Sequence, residues 1–296
     1  MSYPESHYLS PVWRDGLFNG KVAFITGGNG TICSMQARAL VRLGANACII
    51  GRNVEKTDKA AKDIAAVRPG AKVIGIGACD VRNAEHLKNA ADRCAKELGG
   101  IDFVIAGAAG NFIAPMEGLS TNAFKSVMDI DVLGTFNTIK ATLPHILKSK
   151  TPRIIYVSAT FHYTGLVMQS HVSAAKASVD SLMASVSLEY GPRGVNSNVI
   201  APGAIEGTEG MDRLGGEAAK QPNNSLVKEI PSGRMGTVRN IADATVYLFS
   251  EAGDYVNGHA LVVDGGGWRR QPAFTLGDSG YKYPEVFLGD DDKAKL

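Results

Sequence analysis

Short, wholly apolar runs alternate along this chain with longer stretches whose apolar residues recur at helical spacing. Lys21 to Thr26 (KVAFIT) is the first such run and ends in Gly27-Gly28-Asn29-Gly30. Ile32 to Leu43 has helical period and stops at Gly44, and Ala47 to Ile50 is the next apolar run. Strand, glycine-rich turn, helix and strand make a βαβ unit. The alternation then repeats. Helices are predicted over Val54–Val67, Ala84–Leu98, Asn122 to about Leu147, about Ser170–Tyr190 and Arg239–Phe249. Strands are predicted over Val73–Ala78, Phe103–Ala106, Arg153–Ser158, Val195–Ile200 and His259–Val263. Most strands are apolar throughout, as in a parallel sheet buried on both faces. The fold class is therefore α/β: a doubly wound, Rossmann-like parallel sheet of about seven strands with helices on both faces.

Composition narrows this further. The 296 residues are 45% hydrophobic, ample for one large core, and no linker interrupts them. A single domain over 1–296 is expected, with the polar, Gly-rich stretch 203–236 as a lid and 267–296 as a C-terminal tail. A net charge of +2 gives no polyelectrolyte argument for nucleic acid. No apolar run is long enough to cross a bilayer. Met1 to Asn19 lacks the basic and apolar blocks of a secretory signal. The four cysteines (Cys33, Cys48, Cys79, Cys94) have no Cys-x-x-Cys spacing, so they read as buried fillers and no metal site is expected. The chain ends Ala294-Lys295-Leu296, a variant of the Ser-Lys-Leu address read by the peroxisomal import receptor.

The glycine turn carries the first candidate chemistry. Gly27, Gly28 and Gly30 after the first strand let backbone N–H groups and a helix N-terminus meet a pyrophosphate. The second strand runs into Gly51-Arg52, where an NAD site usually places Asp or Glu on the ribose hydroxyls. A guanidinium there suits a 2′-phosphate, with Lys56 close by, and favours NADPH. Asp80, after the third strand, is placed for an adenine amino group or, equally, as a turn residue before Arg82.

Together, Thr26-Gly27-Gly28-Asn29-Gly30, Asp80-Val81, Ala108-Ala109-Gly110, Lys176, Pro202-Gly203 and Val263-Asp264-Gly265-Gly266 resemble the short-chain dehydrogenase/reductase family over nearly the whole chain. The departures are specific. Thr31 and Cys33 stand at later glycines of the turn, Asp131 at the catalytic asparagine, Ala159 about at the catalytic serine, and Val172 at the tyrosine four residues before Lys176. With Asn111-Phe112, Gly207-Thr208-Glu209-Gly210 and Arg213-Leu214-Gly215-Gly216, they resemble the peroxisomal 2,4-dienoyl-CoA reductases. The resemblance implies a cofactor set of Gly27, Gly28, Asn29, Gly30, Thr31, Ile32, Arg52, Lys56, Asp80, Ala108, Lys176, Pro202, Gly203, Ile205 and Thr208. It implies acyl-CoA contacts from Arg52, Arg82, Asn111, Phe112, Ile113 and Arg213, and a homo-oligomer, dimer or tetramer.

The chemistry explains why a tyrosine is dispensable. A ketone reductase protonates an alkoxide where hydride arrives, and a phenol beside a lysine does that. In a 2,4-dienoyl thioester, hydride adds at C5 and the charge travels to the thioester oxygen. The needs are then an oxyanion donor and a proton near C2, giving a 3-enoyl-CoA. Asp131 and Lys176 are the candidate catalytic pair, acting on a water. Asp131 lies in an otherwise apolar stretch, where a solvated carboxylate is less expected. Tyr156, His162, Tyr163 and His171 are further ionisable groups nearby in sequence. Two other readings remain open: a 2-enoyl-CoA reductase, and a catalytically inactive nucleotide-binding module.

Overall fold

The computed structural model describes residues 3–208, 210–211, 227 and 230–269. Seven parallel strands form one sheet in the order β3-β2-β1-β4-β5-β6-β7. They are β1 Val22–Thr26, β2 Asn46–Ile50, β3 Val73–Ile76, β4 Phe103–Ala106, β5 Arg153–Val157, β6 Asn196–Pro202 and β7 Ala260–Val263. The order reverses between β3 and β4, which crosses over to the far side of β1. Crevices at such a switch point form where the loops leave the carboxyl ends of the strands in opposite directions. Thr26 of β1 pairs with Ala106 of β4, and Ala106 with Tyr156 of β5, so these strand ends finish level.

Both faces of the sheet are buried, and the pleat divides each strand between them. Ala23, Ile25, Ile49 and Ile105 point into one core with α1 Thr31–Arg42 and α2 Val54–Ala65. Val22, Phe24, Cys48 and Val104 point into the other with α3 Ala84–Leu98. After α4 Thr121–Val127 and a π-helical turn Met128–Leu133 comes α5 Gly134–Ile146. A short α6 Phe161–Thr164 precedes α7 Ser170–Tyr190, and α8 Val238–Phe249 packs on α1. Local chemistry ends these helices as expected. Asn53 caps α2 and Asn83 caps α3 by accepting backbone N–H groups, and Gly99 closes α3 at φ 94°.

Three features differ from the sequence expectations. The single long helix expected from Asn122 is three segments, because the chain widens into a π turn at Met128–Leu133. The third strand ends at Ile76, since Ala78 takes a left-handed φ of 50° that strand geometry excludes. The first twenty residues, which show no period, are part of the core: Tyr8, Leu9 and Phe18 are buried. Asp243 of α8 holds this arm by accepting from Ser10 N at 3.0 Å and Trp13 Nε1 at 2.8 Å.

Candidate active site

Two adjoining clefts open at the carboxyl ends of the strands. The smaller, about 260 Å³, lies toward β2 and β3, with Asn29, Arg52, Lys56, Asp80 and Ala108 on its wall. The larger, about 590 Å³, lies toward β5 and β6, with Thr31, Asn111, Ser158, Lys176, Pro202 and Thr208 on its wall. Gly27 and Gly30 face both.

The backbone around the smaller cleft tolerates almost no side chains. Gly27 has φ 67°, and a Cβ there would sit 2.8 Å from the Gly107 carbonyl oxygen. Gly30 caps α1 with no side chain over the helix end, and the first turn of α1 carries no acid. An anion can therefore approach the free N–H groups and the positive end of the helix. Asn29 Nδ2 donates to Thr57 Oγ1 at 2.8 Å directly over Gly51, so a Cβ on Gly51 would lie 2.4 Å from both groups. A carboxylate side chain at that position would have to displace Asn29 and Thr57, and Arg52 is the first side chain after β2 that can face the cleft. Asp80 is held by Arg82, whose Nε contacts its two oxygens at 3.0 and 3.1 Å. That pairing lowers the Asp80 carboxyl to about 2.

In the larger cleft Lys176 is the one lining ammonium among the described residues. It is itself buried, and its Nζ donates to the Val157 carbonyl at 3.0 Å and lies 3.0 Å from Asp131 Oδ2. An ammonium so held keeps a further N–H for the cleft. Asp131 is only 1% exposed and sits in the π turn, where Gly110 N donates to its Oδ1 at 2.7 Å. It does not reach the cleft wall; Lys176 stands in front of it. Val172, a turn before Lys176 on α7, presents only a methyl-bearing side chain to the same wall. Ser158 also lines the cleft, and its buried Oγ has no hydrogen-bond partner among the described residues.

A family model described as Enoyl-(Acyl carrier protein) reductase matches residues 29–267. A Saccharomyces cerevisiae protein named peroxisomal 2,4-dienoyl-CoA reductase, (3E)-enoyl-CoA-producing, is 51% identical over 278 residues, covering 93% of this chain and 92% of the relative. The chain belongs to this family of short-chain dehydrogenase/reductases. A Rattus norvegicus relative of the same enzyme name is 41% identical over 268 residues, covering 90% of this chain and 89% of its own length. The crystal structure of levodione reductase superposes with a TM-score of 0.80 at 25% identity, covering 86% of this chain and all of the other. Membership makes the chain an oxidoreductase that uses a nicotinamide cofactor. The side-chain-free turn at Gly27 and the open end of α1 fit such a dinucleotide.

Most residues expected to contact cofactor reach one cleft or the other. Asn29, Arg52, Lys56, Asp80 and Ala108 line the smaller. Thr31, Ile32, Lys176, Pro202, Gly203, Ile205 and Thr208 line the larger. Gly28 does neither: a Cβ there would lie 2.6 Å from Ile49 Cβ, so this glycine serves the close approach of the turn to β2. Asn111 and Ile113 line the larger cleft. Arg82 is bound to Asp80 beside the smaller one, away from Asn111. Arg213 and Ala294-Lys295-Leu296 lie outside the described residues.

Phe112 contributes through its backbone. Its carbonyl accepts from Gln169 Nε2 at 2.8 Å and contacts His171 Nε2 at 3.1 Å, while its ring stacks on His171 at 4.3 Å. The sequence offers no sign of this clamp, because any residue supplies the carbonyl. Ser158 was equally hidden; its neighbour Ala159 occupies the expected serine position. His162 and Tyr163 both turn to Asp180, at 2.8 and 2.7 Å, and Tyr156 is buried in the sheet against Ser197. None of these three lines the larger cleft. Burial and Asp180 push the Tyr163 phenol well above its ordinary range, and burial does the same to Tyr156. Such phenols are poor proton donors at neutral pH.

Proposed function

We propose that this protein is an NADPH-dependent 2,4-dienoyl-CoA reductase that yields 3-enoyl-CoA in the peroxisomal oxidation of unsaturated fatty acids. The observation that carries the reading is the buried Asp131–Lys176 pair at 3.0 Å behind a cleft wall where Val172 leaves no phenol. That arrangement suits a substrate whose negative charge leaves the carbon receiving hydride.

Bound NADPH supplies the hydride. Gly27, Asn29, Gly30, Thr31, Ile32 and Ala108 hold the dinucleotide along the two clefts, with Pro202, Gly203, Ile205 and Thr208 across the larger one. Gly28 lets the turn pack. Arg52 and Lys56 take the 2′-phosphate, and the lack of a carboxylate at Gly51, where Asn29 and Thr57 fill the space, supports NADPH over NADH. Asp80 meets the adenine end. Lys176 anchors the nicotinamide ribose and polarises the water that delivers the proton at the α carbon. Asp131 acts through Lys176, holding the ammonium in place. Ser158 Oγ and the Asn111 amide are the donors for the thioester oxygen. Phe112 supports this stretch through its carbonyl, Ile113 lines the cleft beyond Asn111, and Arg52, Arg82 and Arg213 receive the phosphates of CoA.

The chain is further read as one reductase domain over 1–296 with 203–236 as a substrate lid and 267–296 as a tail. Its Ala-Lys-Leu end addresses the import receptor, in keeping with the peroxisomal names of its relatives. A homo-oligomer, dimer or tetramer, is part of the same reading. Among the described residues no helix is long and apolar enough to cross a membrane.

The test is NADPH oxidation by purified protein with hexadienoyl-CoA or hexenoyl-CoA, with the product's double bond placed by chromatography. Oxidation with the dienoyl ester alone, giving the 3-enoyl product, is expected. Oxidation with the monoenoyl ester would assign a 2-enoyl-CoA reductase, and none with either would assign an inactive nucleotide-binding module.

A further inference from the structure

Asn111 lines the larger cleft within a short stretch that is tied down at both ends. At one end Gly110 N donates to Asp131 Oδ1 at 2.7 Å. At the other, the Phe112 carbonyl meets Gln169 Nε2 at 2.8 Å and His171 Nε2 at 3.1 Å. A carbonyl oxygen has two lone pairs, and both are engaged here, so His171 carries its hydrogen on Nε2. The His171 ring also stacks on that of Phe112, with 4.3 Å between centroids. Lys176 follows on the same helix, α7, one turn beyond Val172. The start of α7 thus holds both the ammonium and the stretch that carries Asn111.

Packing alone does not account for these two side chains. Gln169 is 1% exposed and His171 0%. Gln169 Oε1 and His171 Nδ1 are buried with no hydrogen-bond partner among the described residues. An orphaned buried acceptor destabilises a fold, and an apolar residue in either place would avoid it. Gln169 also stands at the N-cap of α7, where a polar side chain ordinarily accepts from the helix's own first N–H groups. Its side chain makes no such bond and reaches across to Phe112. The preceding Met168 takes a left-handed φ of 61°, rare for a residue with a side chain. Its carbonyl accepts from Ala114 N at 3.2 Å, a second tie between the same two segments. Local strain and unmet polar groups of this kind gather where geometry matters to function.

We propose that Gln169 and His171 are positioning residues for the reduction: by fixing the Phe112 carbonyl, they hold the Asn111 amide toward the thioester oxygen as charge builds there. The inference rests on the reading of the cleft as an acyl-thioester site with Asn111 as a donor. Neither residue donates to the substrate itself. The Nε2 hydrogen of His171 goes to Phe112, and Gln169 Nε2 serves the Phe112 and Met168 carbonyls, the latter at 3.2 Å. A donor fixed before the charge develops needs no rearrangement in the transition state. Loosening it slows the chemical step and leaves cofactor binding alone.

The test compares octanoyl-CoA with S-octyl-CoA, the thioether that lacks the carbonyl oxygen, by calorimetric titration of the full-length protein with NADP⁺ present. The wild type should bind the thioester about fivefold more tightly, the contribution of one hydrogen bond. Gln169→Met and His171→Phe should each bring the two affinities to within about twofold of each other, with thioether affinity unchanged. His171→Gln, which restores an amide donor, should keep the wild-type ratio. In turnover with hexadienoyl-CoA, kcat should fall about tenfold in Gln169→Met and His171→Phe, with KM for NADPH unchanged. Unchanged thioether binding also verifies that each variant is folded. A wild-type ratio retained in both variants overturns the positioning role and leaves the proposed reaction standing. So does equal weakening of both ligands, which assigns the two residues to the packing of the cleft. Equal affinities in the wild type would remove Asn111 as a donor to the thioester oxygen, and this inference with it.

Discussion

Lys176 Nζ stands 3.0 Å from Asp131 Oδ2 in a site where both side chains are shielded from solvent. Removing one partner of a buried pair leaves the other as an uncompensated charge and costs about 3–5 kcal/mol. Asp131→Asn should therefore lose stability, and it should also slow turnover about 100-fold or more, because the ammonium loses the carboxylate that holds it in place. Lys176→Ala should match it in kcat and in addition raise KM for NADPH. Denaturant midpoints and steady-state kinetics on both variants check this. Asp131→Asn with full activity would remove the proton-delivery scheme.

Arg52 is expected to discriminate between the two nicotinamide cofactors. It follows Gly51, whose missing side chain is enforced by the Asn29–Thr57 hydrogen bond crossing over it at 2.8 Å. Loss of one charge-assisted phosphate contact costs about 1.5–3 kcal/mol. Arg52→Ala should raise KM for NADPH by at least about tenfold and leave KM for NADH little changed. Gly51→Asp should not convert the enzyme to NADH, since the carboxylate would displace Asn29; it should weaken both cofactors.

Asp80 contributes to stability only above the acid range. Its folded value of about 2 lies below the ordinary carboxyl range because Arg82 clasps it. The folded state therefore binds its proton less readily than the unfolded chain. The stability this gives is complete above the ordinary value, near pH 4, and is lost as pH falls toward about 2. Arg82 is largely exposed, so the contribution is at most about 1 kcal/mol. Chemical unfolding of the protein and of Asp80→Asn should converge as pH drops through that window. At neutral pH Asp80→Asn should weaken NADPH binding.

Much of this architecture was legible because apolar strands and helical periods are local signals. The seven strands, and the reversal that makes a switch point, followed from the βαβ repeat. Lys176 and Asp131 stood out through the family resemblance, which puts a lysine four residues after the tyrosine position held by Val172 and an asparagine where Asp131 stands, and Asp131 also because its surroundings in the chain are apolar. Other parts left no mark. An α turn and a π turn use the same residue types, so Asp131's widened helix was unreadable. The N-terminal arm packs Tyr8, Leu9 and Phe18 without periodicity. The Gln169 and His171 grip on the Phe112 carbonyl, and the orphaned Oγ of Ser158, depend on segments far apart in the chain. Gly28 read as part of the phosphate turn, yet it is required by the close approach of that turn to Ile49.

Cys33 occupies a place where the family's phosphate turn usually has glycine, and the chain makes room for it from the opposite side. A Cβ on Gly107 would lie 2.3 Å from Cys33 Sγ, with the Thr26 carbonyl and a Val157 methyl each at 3.3 Å. The thiol thus fills the volume that a side chain at 107 would need. Gly107→Ala should cost about 1–3 kcal/mol by overpacking and should disturb the cofactor turn, since Gly107 O also confronts Gly27. Cys33→Gly should leave a small void, and the double variant should recover most of the stability that Gly107→Ala loses. Unfolding midpoints of the wild type, both single variants and the double variant form the cycle that measures this coupling. Additive losses would mean that the two positions do not share the space. Burial also pushes the Cys33 thiol up to about 12, so the native protein should resist alkylation there at pH 8. Rapid labelling of Cys33 in the folded protein, read by peptide mass mapping, would show that the turn opens.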